Sequence, residues 1–533
     1  MSAPVLVPVE RPRAAARAVS VPPWLAPTAL AAALAGVVIL AGWRGSDLPA
    51  HFFRVALVER DGVKVWNNYW FGGHHTLGYG VLFPVLGALV GIWTVAVASA
   101  AGSALLADVL IRRATGRRNW WASMWFAAGT VTNVAVGRLP FALGVMVALG
   151  ALVAAQRRWM VLTAALTVLT AVASPVVSVF LTIIFAAWSF TTVGVDRRRF
   201  AAMAGLAIVP VVAISLMYPQ GGSFPFRWTA LLWTLVVCAV VFVAVPVEHR
   251  LVRTTAILYA VASIGAFLLP TPLGANITRL GMYAAAPVLL ALANVRRLTM
   301  VGLLAGMLFW QWSPALDSIL RSGRDPSTEQ AYYRPLVSFL SSVDAEDTRV
   351  EIVPTGRHWE TAYVATHFPI ARGWERQLDR RFNPQFYEPG LTHTQLHRWL
   401  MEAGVAYVAL ADTSIDDSGV EEAALLADDP PYLRLMWESD HWRVWHVVGS
   451  PGLVDGPAEL VEFGTDSLRL RVLERGDILV RVHASAFWAS DPAACIEPSE
   501  DGWVILRDVR PGPLELYLDE SELVGEDDAC ANG

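Results

Sequence analysis

Long apolar runs, separated by short polar turns, dominate the first 315 residues of the chain. Each run is about as long as a helix must be to cross a hydrocarbon core of roughly 30 Å. Eleven runs can be distinguished, at residues 27–43, 92–111, 120–136, 139–155, 159–175, 176–194, 201–217, 228–246, 254–270, 281–295 and 299–315. This pattern predicts a polytopic α-helical membrane protein with about eleven transmembrane helices. Residues 81–90 are apolar but too short to cross, and they predict a juxtamembrane helix.

The arginines predict the orientation of these spans. They cluster between spans at Arg112, Arg113, Arg117 and Arg118, at Arg157 and Arg158, at Arg197, Arg198 and Arg199, at Arg250 and Arg253, and at Arg296 and Arg297. Every cluster falls on the side of the N-terminal tail, which the positive-inside rule makes cytoplasmic. We therefore expect a multi-pass plasma-membrane protein with a cytoplasmic tail (residues 1–26), a first outer loop (44–84) and an extracytoplasmic C-terminal region.

After residue 318 the pattern changes to shorter segments. TRVEIVP and VAYVALA predict strands, and LTHTQLHRWLMEAG between them predicts a helix that ends at Gly404. From about residue 455, short alternating segments separated by turn residues are typical of a small β-sandwich. We expect a transmembrane domain (27–318), an extracytoplasmic α/β domain (326–450) and an extracytoplasmic β-rich domain (451–533).

Composition agrees with a membrane protein, since 55% of the residues are hydrophobic and only 16% are charged. The net charge is −5, and the acidic residues concentrate in the last 200 positions, which argues against a nucleic-acid partner. Of three cysteines, Cys238 lies in an apolar span, whereas Cys495 and Cys530 could pair if the terminal region is outside the cell.

The first outer loop is far more polar than its surroundings and is the candidate active-site loop. Asp47 follows the first span and precedes a helix-like segment. It has two readings that stay open: an N-cap that satisfies free backbone amides, or a carboxylate at an outward cavity that accepts a proton. His51 and Arg54 follow at helical spacing, on the same face. That face suits proton transfer and phosphate binding, but it also suits a helix lying on lipid headgroups.

Other candidates are fewer. The later outer turns carry single arginines, and Arg279 is the preferred phosphate ligand because Gly274 and Asn276 beside it allow irregular backbone around a cavity. Arg138 is the second choice, and Arg227 is expected to snorkel to headgroups. The neighbouring pair His74 and His75 could bind substrate, but no spacing of ligands supports a metal site.

The C-terminal segment RGWERQLDRRFNPQFY (372–387) is dense in charges and aromatic residues. It predicts either a loop folded back over the membrane cavity or a structural surface element of the α/β domain. The sequence slightly favours the structural reading.

Several segments together resemble the GT-C superfamily of polytopic glycosyltransferases, and in particular a group of actinobacterial integral membrane proteins. These segments are GSDLPAHFFR, WNNYWFGG with GYGVLFP, VGRLPFALG, TPLGANITRL, and RGWERQLD with GVAYVAL. The resemblance implies transfer of a sugar from a polyprenyl-phosphate donor to a cell-envelope glycan or glycolipid at the outer face of the lipid bilayer. It makes Asp47 the catalytic base, with Arg279 and then Arg138 as ligands of the donor phosphate. Many members carry a second outer-loop acid, often with a divalent cation, where this chain has Arg138.

Two other functions fit parts of the pattern. A non-catalytic scaffold for envelope assembly would also present a large outer domain, and it predicts that Asp47 is dispensable. A secondary transporter is less consistent with the sequence, because transporters place ionisable residues within their spans and show internal repeats. Here the spans are nearly free of charge and no repeat is visible.

Overall fold

The computed structural model describes residues 25–218, 222–322 and 325–519. Its membrane region and first outer loop contain α1 (Ala26–Leu40), α2 (Leu48–Asp61), α3 (Leu82–Val90), α4 (Ile92–Thr115), α5 (Trp120–Val136), α6 (Leu139–Gln156), α7 (Met160–Ala173), α8 (Pro175–Thr191), α9 (Gly194–Met217), α10 (Trp228–Ala244), α11 (Arg250–Leu268), α12 (Arg279–Leu292) and α13 (Arg297–Ser322). Helix α2 belongs to the first outer loop, and α3 coincides with the short apolar segment at residues 81–90. Each of the other helices falls on one of the predicted apolar runs.

Length and hydropathy identify a helical membrane region. Five helical segments within the described ranges are long and apolar enough to cross a bilayer: Ile92–Thr115, Leu139–Gln156, Gly194–Met217, Arg250–Leu268 and Gly274–Leu292. Four shorter apolar helices, α1, α7, α8 and α10, lie among them. The number of eleven crossings, the sidedness of the termini and the tail at residues 1–26, most of which lies outside the described ranges, stay predictions.

Small residues bring the first helices close together. Ala35 of α1, Ala100 of α4 and Ala135 of α5 are at most 1% exposed and belong to one cluster. Lipid and apolar side chains are similarly hydrophobic, so helices in a membrane associate largely through such close van der Waals packing. The helices that carry the outer turns are thus held in a compact bundle.

The first outer loop folds into a platform on one end of the helix bundle. Between α2 and α3 it forms a short hairpin, β1 (Trp66–Asn67) with β2 (His74–His75), followed by a 3₁₀ turn, Leu77–Tyr79. The ring of Trp70 at the hairpin tip is fully buried and stacks on Phe53 of α2 at 4.4 Å. These side chains share one hydrophobic cluster with residues of the C-terminal region such as Val350 and Trp359. The loop is therefore an integral part of the outer core.

The C-terminal region begins with helices and a four-stranded sheet. Its elements are α14 (Gln330–Ser342), β3 (Arg349–Ile352), α15 (Glu360–Tyr363), α16 (Arg376–Phe382), α17 (His393–Glu402), β4 (Val405–Ala411), α18 (Val420–Ala427), β5 (Leu433–Glu438) and β6 (Trp442–Val447). Strand β3 pairs in parallel with β4, and β4, β6 and β5 continue antiparallel. Helix α17 begins in a capping box between Thr392 and Gln395 and ends before Gly404, as its sequence predicts.

The last part of the chain forms two four-stranded sheets. The strands are β7 (Val454–Asp455), β8 (Ala458–Phe463), β9 (Ser467–Val472), β10 (Gly476–His483), β11 (Trp488–Asp491), β12 (Cys495–Pro498), β13 (Trp503–Val509) and β14 (Gly512–Leu518). The sheet orders are β12-β13-β10-β7 and β11-β14-β9-β8, and buried alternating residues of both sheets share one core. The domain limits at residues 326 and 451 stay predictions. Cys530 lies outside the described residues, so its pairing with Cys495 stays a prediction.

Two glycines let the outer loop touch the bundle through its backbone. A Cβ atom on Gly45 would lie 2.1 Å from the carbonyl carbon of Val136, at the end of α5. Gly137, with φ +91°, would place a Cβ 2.5 Å from the backbone nitrogen of Leu48. The amide of Asp47 donates to the Val136 carbonyl at 3.0 Å. The segment before α2 is thereby held directly on the turn between α5 and α6.

We expect Gly137→Ala to lower the apparent melting temperature of the purified protein by several degrees more than Gly116→Ala. Both glycines have positive φ, +91° and +66°, so both substitutions carry the conformational cost of about 1 kcal/mol. Only the Cβ at position 137 meets other atoms, because nothing lies within 4 Å of the one at Gly116. Equal losses for the two variants would contradict a role for the close approach at Gly137.

Candidate active site

Asp47 occupies the N-cap position of α2, but its side chain does not cap the helix. No hydrogen bond joins the carboxylate to the first backbone amides of α2. Instead the carboxylate accepts from the Ser46 hydroxyl at 3.2 Å and lies 3.5 Å from the Arg138 guanidinium. The side chain is 23% exposed. The capping reading therefore does not describe this residue, and the carboxylate faces a cationic partner at an accessible site.

Arg138 owes its position to the turn between α5 and α6. It stands immediately before α6, whose second residue is Pro140, and it follows the glycine that contacts α2. Its side chain is mostly buried, with 19% exposed. The pair of Asp47 and Arg138 thus joins two outer segments that are 91 positions apart in the sequence. Sequence reasoning identified both residues but could not show that they meet.

Tyr79 is a member of this cluster that sequence reasoning missed. Its ring lies 4.4 Å from the guanidinium carbon of Arg54. Burial and the nearby Asp47 carboxylate raise the pKa of Tyr79, although the charges of Arg279, Arg54 and Arg138 act in the opposite direction. The phenol therefore stays protonated at neutral pH and can donate a hydrogen bond. The available signal was its place between two glycines in the outer-loop segment LGYGVLFP.

His51 and Arg54 lie behind this cluster on the face of α2 that the sequence predicts. His51 is fully buried, and its ring is 5.6 Å from those of both Tyr79 and Phe83. Burial, together with the charge of Arg54, holds its pKa well below the usual value, so the imidazole is neutral. Arg54 forms a buried ion pair with Glu375 of the C-terminal region. Arg54 is therefore occupied by a protein carboxylate, which weakens its predicted role as a phosphate ligand.

His74 and His75 lie in a packed environment. His74 is stacked on Trp70 at 5.9 Å, and His75 is edge-on to Trp66 at 4.7 Å. Burial lowers the pKa of His74 to about 3 and that of His75 to about 4, so both rings are neutral. Their ring contacts within the described residues are with aromatic neighbours rather than with Asp47. The structure thus gives no support to their predicted role in substrate binding, and they stabilise the hairpin instead.

Arg279 lies at the outer end of a large apolar cavity between the membrane helices. It is the first residue of α12, and its guanidinium carbon is 5.1 Å from the ring of Phe141. The cavity has a volume of about 380 Å³, and residues from Arg279 to Leu292 line it along all of α12. Helices α4, α5, α6, α8, α10 and α11 supply the other walls. A helix of this length extends about 20 Å. Of the described residues that line the cavity, Arg279 alone is charged.

The charged C-terminal segment at residues 372–387 covers the first outer loop. The Trp374 indole donates to the Ser46 carbonyl at 2.7 Å, and Glu375 pairs with Arg54. Behind them, the buried Arg372 donates to the Ser418 hydroxyl at 2.9 Å and pairs with Glu422 at 3.4 Å, which anchors the segment in the α/β region. The segment therefore contacts the first outer loop on one side and the α/β region on the other, and its position over the membrane cavity stays a prediction.

The charges of this cluster do not fit a divalent cation. Such a cation requires several oxygen ligands, whereas Asp47 is accompanied by the guanidinium of Arg138, and Glu375 is engaged by Arg54. Across the ranges that the structure describes, no group of three or more His, Cys, Asp or Glu side chains is arranged to hold a metal ion.

Comparisons with known proteins give limited information. No protein-family model matches the chain, and no curated protein matches it. Among solved structures, it is similar to the oligosaccharyltransferase of Archaeoglobus fulgidus, crystallised with a tethered acceptor peptide. The two chains are 12% identical, and the match covers 72% of this chain and 68% of the other, with a TM-score of 0.43. A likeness of this extent assigns neither a fold nor a function to this chain.

We expect Arg54→Leu and Glu375→Leu each to destabilise the protein strongly, because each leaves an unpaired buried charge, at a cost of about 3–5 kcal/mol. The double variant should recover much of the loss, which a double-mutant cycle of apparent melting temperatures would measure. Arg60→Leu is the matched control, since its partner Asp61 lies on the same helix but that pair is partly exposed. Additive losses in the double variant would contradict a direct coupling of Arg54 with Glu375.

Proposed function

We propose that the protein is a membrane glycosyltransferase of the GT-C type. In this proposal it moves a sugar from a polyprenyl-phosphate donor to a cell-envelope glycan or glycolipid at the outer face of the plasma membrane. The observation that carries the proposal is the position of Arg279 at the end of a long apolar cavity, within electrostatic range of Asp47 and Arg138. In this arrangement the apolar walls would bury the lipid tail, Arg279 would bind the anionic head, and Asp47 would accept the proton of the reacting hydroxyl.

The cavity suits the donor lipid. Its apolar walls along α12 can bury a hydrocarbon tail, and burial of each CH₂ group is worth about 0.8 kcal/mol. Its volume of about 380 Å³ is within the range of ligand pockets. Arg279 at the outer end can bind a phosphate through two parallel hydrogen bonds, which a guanidinium does better than an ammonium. This arrangement selects a lipid with a phosphate head over a neutral lipid.

The chemistry requires one base and one cationic site. The acceptor hydroxyl attacks the anomeric carbon of the donor sugar, and its proton passes to the Asp47 carboxylate. The new bond joins the acceptor oxygen to that carbon, while the bond from the carbon to the phosphate oxygen breaks. The polyprenyl phosphate leaves with the electron pair, and Arg279 stabilises its charge. Base catalysis contributes about 10²–10⁴-fold, and positioning and electrostatic stabilisation supply more.

In this scheme Arg138 would orient Asp47 and then bind the donor phosphate. At 3.5 Å its ion pair with Asp47 is loose, so the carboxylate is oriented without a close hydrogen bond. A bound donor phosphate would offer Arg138 a second anion and release Asp47 to accept the proton. In this way an arginine would supply charge where many members of the superfamily use another acid with a metal.

A non-catalytic scaffold for envelope assembly is the second candidate. The observation that favours it is the same ion pair, because Asp47 and Arg138 could serve only to hold the outer loop on the bundle. In that case the carboxylate could be replaced whenever the fold is retained. The transporter reading has no such support, since the cavity is almost entirely apolar.

We expect Asp47→Asn to abolish function at normal membrane abundance, because the amide cannot accept the proton. A strain lacking the native gene would be scored for complementation of its envelope glycan change. Sugar transfer from a polyprenyl-phosphate pool should fall by about 10²-fold or more. Asp61→Asn is the control, as Asp61 lies at the other end of α2 and pairs with Arg60. Full complementation by Asp47→Asn would refute the base assignment and favour the scaffold.

We expect Arg279→Leu to weaken binding of a polyprenyl phosphate by roughly 10–100-fold, the loss typical of a hydrogen bond to a charged group. Binding of the matching polyprenol, which has no phosphate, should be unchanged. Native mass spectrometry of the protein in detergent would measure both. Arg227→Leu is the matched control, because Arg227 is an exposed outer-turn arginine away from the cavity. Equal losses for the phosphate and the alcohol would contradict recognition of the phosphate by Arg279.

A further inference from the structure

His358 lies in an unusual environment in the segment before α15. The side chain is 4% exposed, and its ring is stacked on the indole of Trp374 with centroids 3.4 Å apart and planes 12° apart. The backbone of His358 has φ +58°, in the left-handed region that costs a residue with a Cβ about 1–2 kcal/mol. Its amide donates to the Thr355 hydroxyl at 3.1 Å. A strained backbone of this kind persists only where its surroundings hold it.

Two carboxylates face the ring of His358 from different elements. Nδ1 lies 3.5 Å from Glu360 of α15, and Nε2 lies 3.3 Å from Asp416, which follows β4. From α16, Arg376 binds Asp416 at 2.7 Å and lies over the other ring, that of Trp374, at 5.1 Å. With a protonated imidazole, this group of four ionisable residues has two positive and two negative charges.

Trp374 connects this group to the candidate active site. Its indole N–H donates to the carbonyl of Ser46, whose hydroxyl donates to the Asp47 carboxylate at 3.2 Å. The next residue, Glu375, pairs with Arg54 on the second turn of α2. Residues 374 and 375 therefore hold the beginning of α2 at two points, and we call them the 374–375 clamp.

We propose that His358 is a positioning residue: its stacked, ion-paired imidazole fixes Trp374, and through the 374–375 clamp it fixes Asp47 for reaction. The link to catalysis depends on the proposed function, whereas the mechanical link from His358 to Ser46 does not. The C-terminal region thereby controls the geometry of a site that the outer loop and membrane helices build.

The charge of His358 makes this control sensitive to pH. Burial disfavours the charged ring, but hydrogen bonds and charges from Asp416 and Glu360 outweigh it and raise the pKa of His358 above its usual value. A raised pKa in the folded state means that protonation of His358 stabilises the folded arrangement of the ring and its two carboxylates. This contribution to stability is lost as the pH rises through the pKa of the folded state. The clamp should hold below the pKa of His358 and loosen as the pH rises through it, because Glu360 and Asp416 then lose the cation between them.

A cysteine placed at Ser46 reports on the clamp without any enzymatic assay. In full-length protein in lipid nanodiscs, labelling by a membrane-impermeant maleimide would be followed between about pH 5.5 and 9. The signal of protein without Ser46→Cys corrects for native cysteines. We expect His358→Gln to raise the labelling rate about five- to tenfold at the acidic end, since local opening becomes more frequent. The Ser46→Cys protein that retains His358 should approach the labelling rate of the His358→Gln variant only above the pKa of His358.

Two further variants decide between positioning and general damage. Trp374→Phe keeps an aromatic ring for stacking but removes the indole N–H, so it should raise the labelling rate as His358→Gln does. His397→Gln is the matched control, because His397 stacks on Tyr432 at 4.5 Å elsewhere in the α/β region. Labelling that is independent of position 358 and follows only thiol ionisation would overturn the inference.

The activity readout separates this inference from the proposed function. If Asp47 is the base, His358→Gln should lower kcat more than it raises KM and should flatten the alkaline side of the pH profile. If Asp47→Asn is fully active but Ser46→Cys labelling still depends on His358, the proposed chemistry fails and the positioning role stands. If Asp47→Asn is inactive but His358→Gln changes neither labelling nor the pH profile, the positioning role fails alone.

Discussion

The contact between the first outer loop and the turn joining α5 to α6 is the constraint on which the rest of the candidate site depends. It is a contact of backbone with backbone, since Gly45 and Gly137 have no side chains to separate the two segments. The hydrogen bond from the Asp47 amide to the Val136 carbonyl sets the register. Because this approach leaves little freedom, Asp47 and Arg138 meet at the outer mouth of the bundle.

A second constraint comes from the C-terminal region, which shares its core with the outer loop. Trp70 and Phe53 pack in the same cluster as residues of the α/β sheet and the sandwich. The loop is therefore held from below by membrane helices and from above by folded strands. Such enclosure explains how a short polar segment keeps one conformation beside a lipid bilayer, where unpaired backbone groups are costly.

The electrostatics of the site follow from this enclosure. Arg138 pairs with one accessible acid, Asp47, and the charge of Asp47 also acts on Arg279, while a second acid, Glu375, is paired with Arg54. A cluster with an excess of guanidinium groups favours an anionic ligand. Under the proposed function, the apolar cavity that Arg279 lines would hold the long hydrocarbon part of such a ligand.

Most helices and strands could be located from local patterns in the amino-acid sequence. Apolar runs of membrane length located the helices of the bundle, because a helix in lipid must be continuously apolar and internally hydrogen-bonded. The segments TRVEIVP and VAYVALA located β3 and β4, Gly404 marked the end of α17, and alternation with turn residues located strands after residue 455. Polar character in an otherwise apolar setting selected Asp47, Arg138 and Arg279 as candidate site residues. Isolated charges beside a membrane are costly, so they often mark a functional site.

Which of these residues contact one another depends on long-range contacts in the folded chain. The ion pairs of Asp47 with Arg138 and of Arg54 with Glu375 join segments 91 and 321 positions apart, and no local pattern encodes such distances. Tyr79 was missed because its place between two glycines, the available signal, does not show which side chains lie beside it in the folded chain. His74 and His75 were proposed as substrate ligands from their residue type alone, and that role stays a prediction. An imidazole titrates near neutrality in water, but burial among aromatic rings removes its charge, and burial is a property of the folded chain.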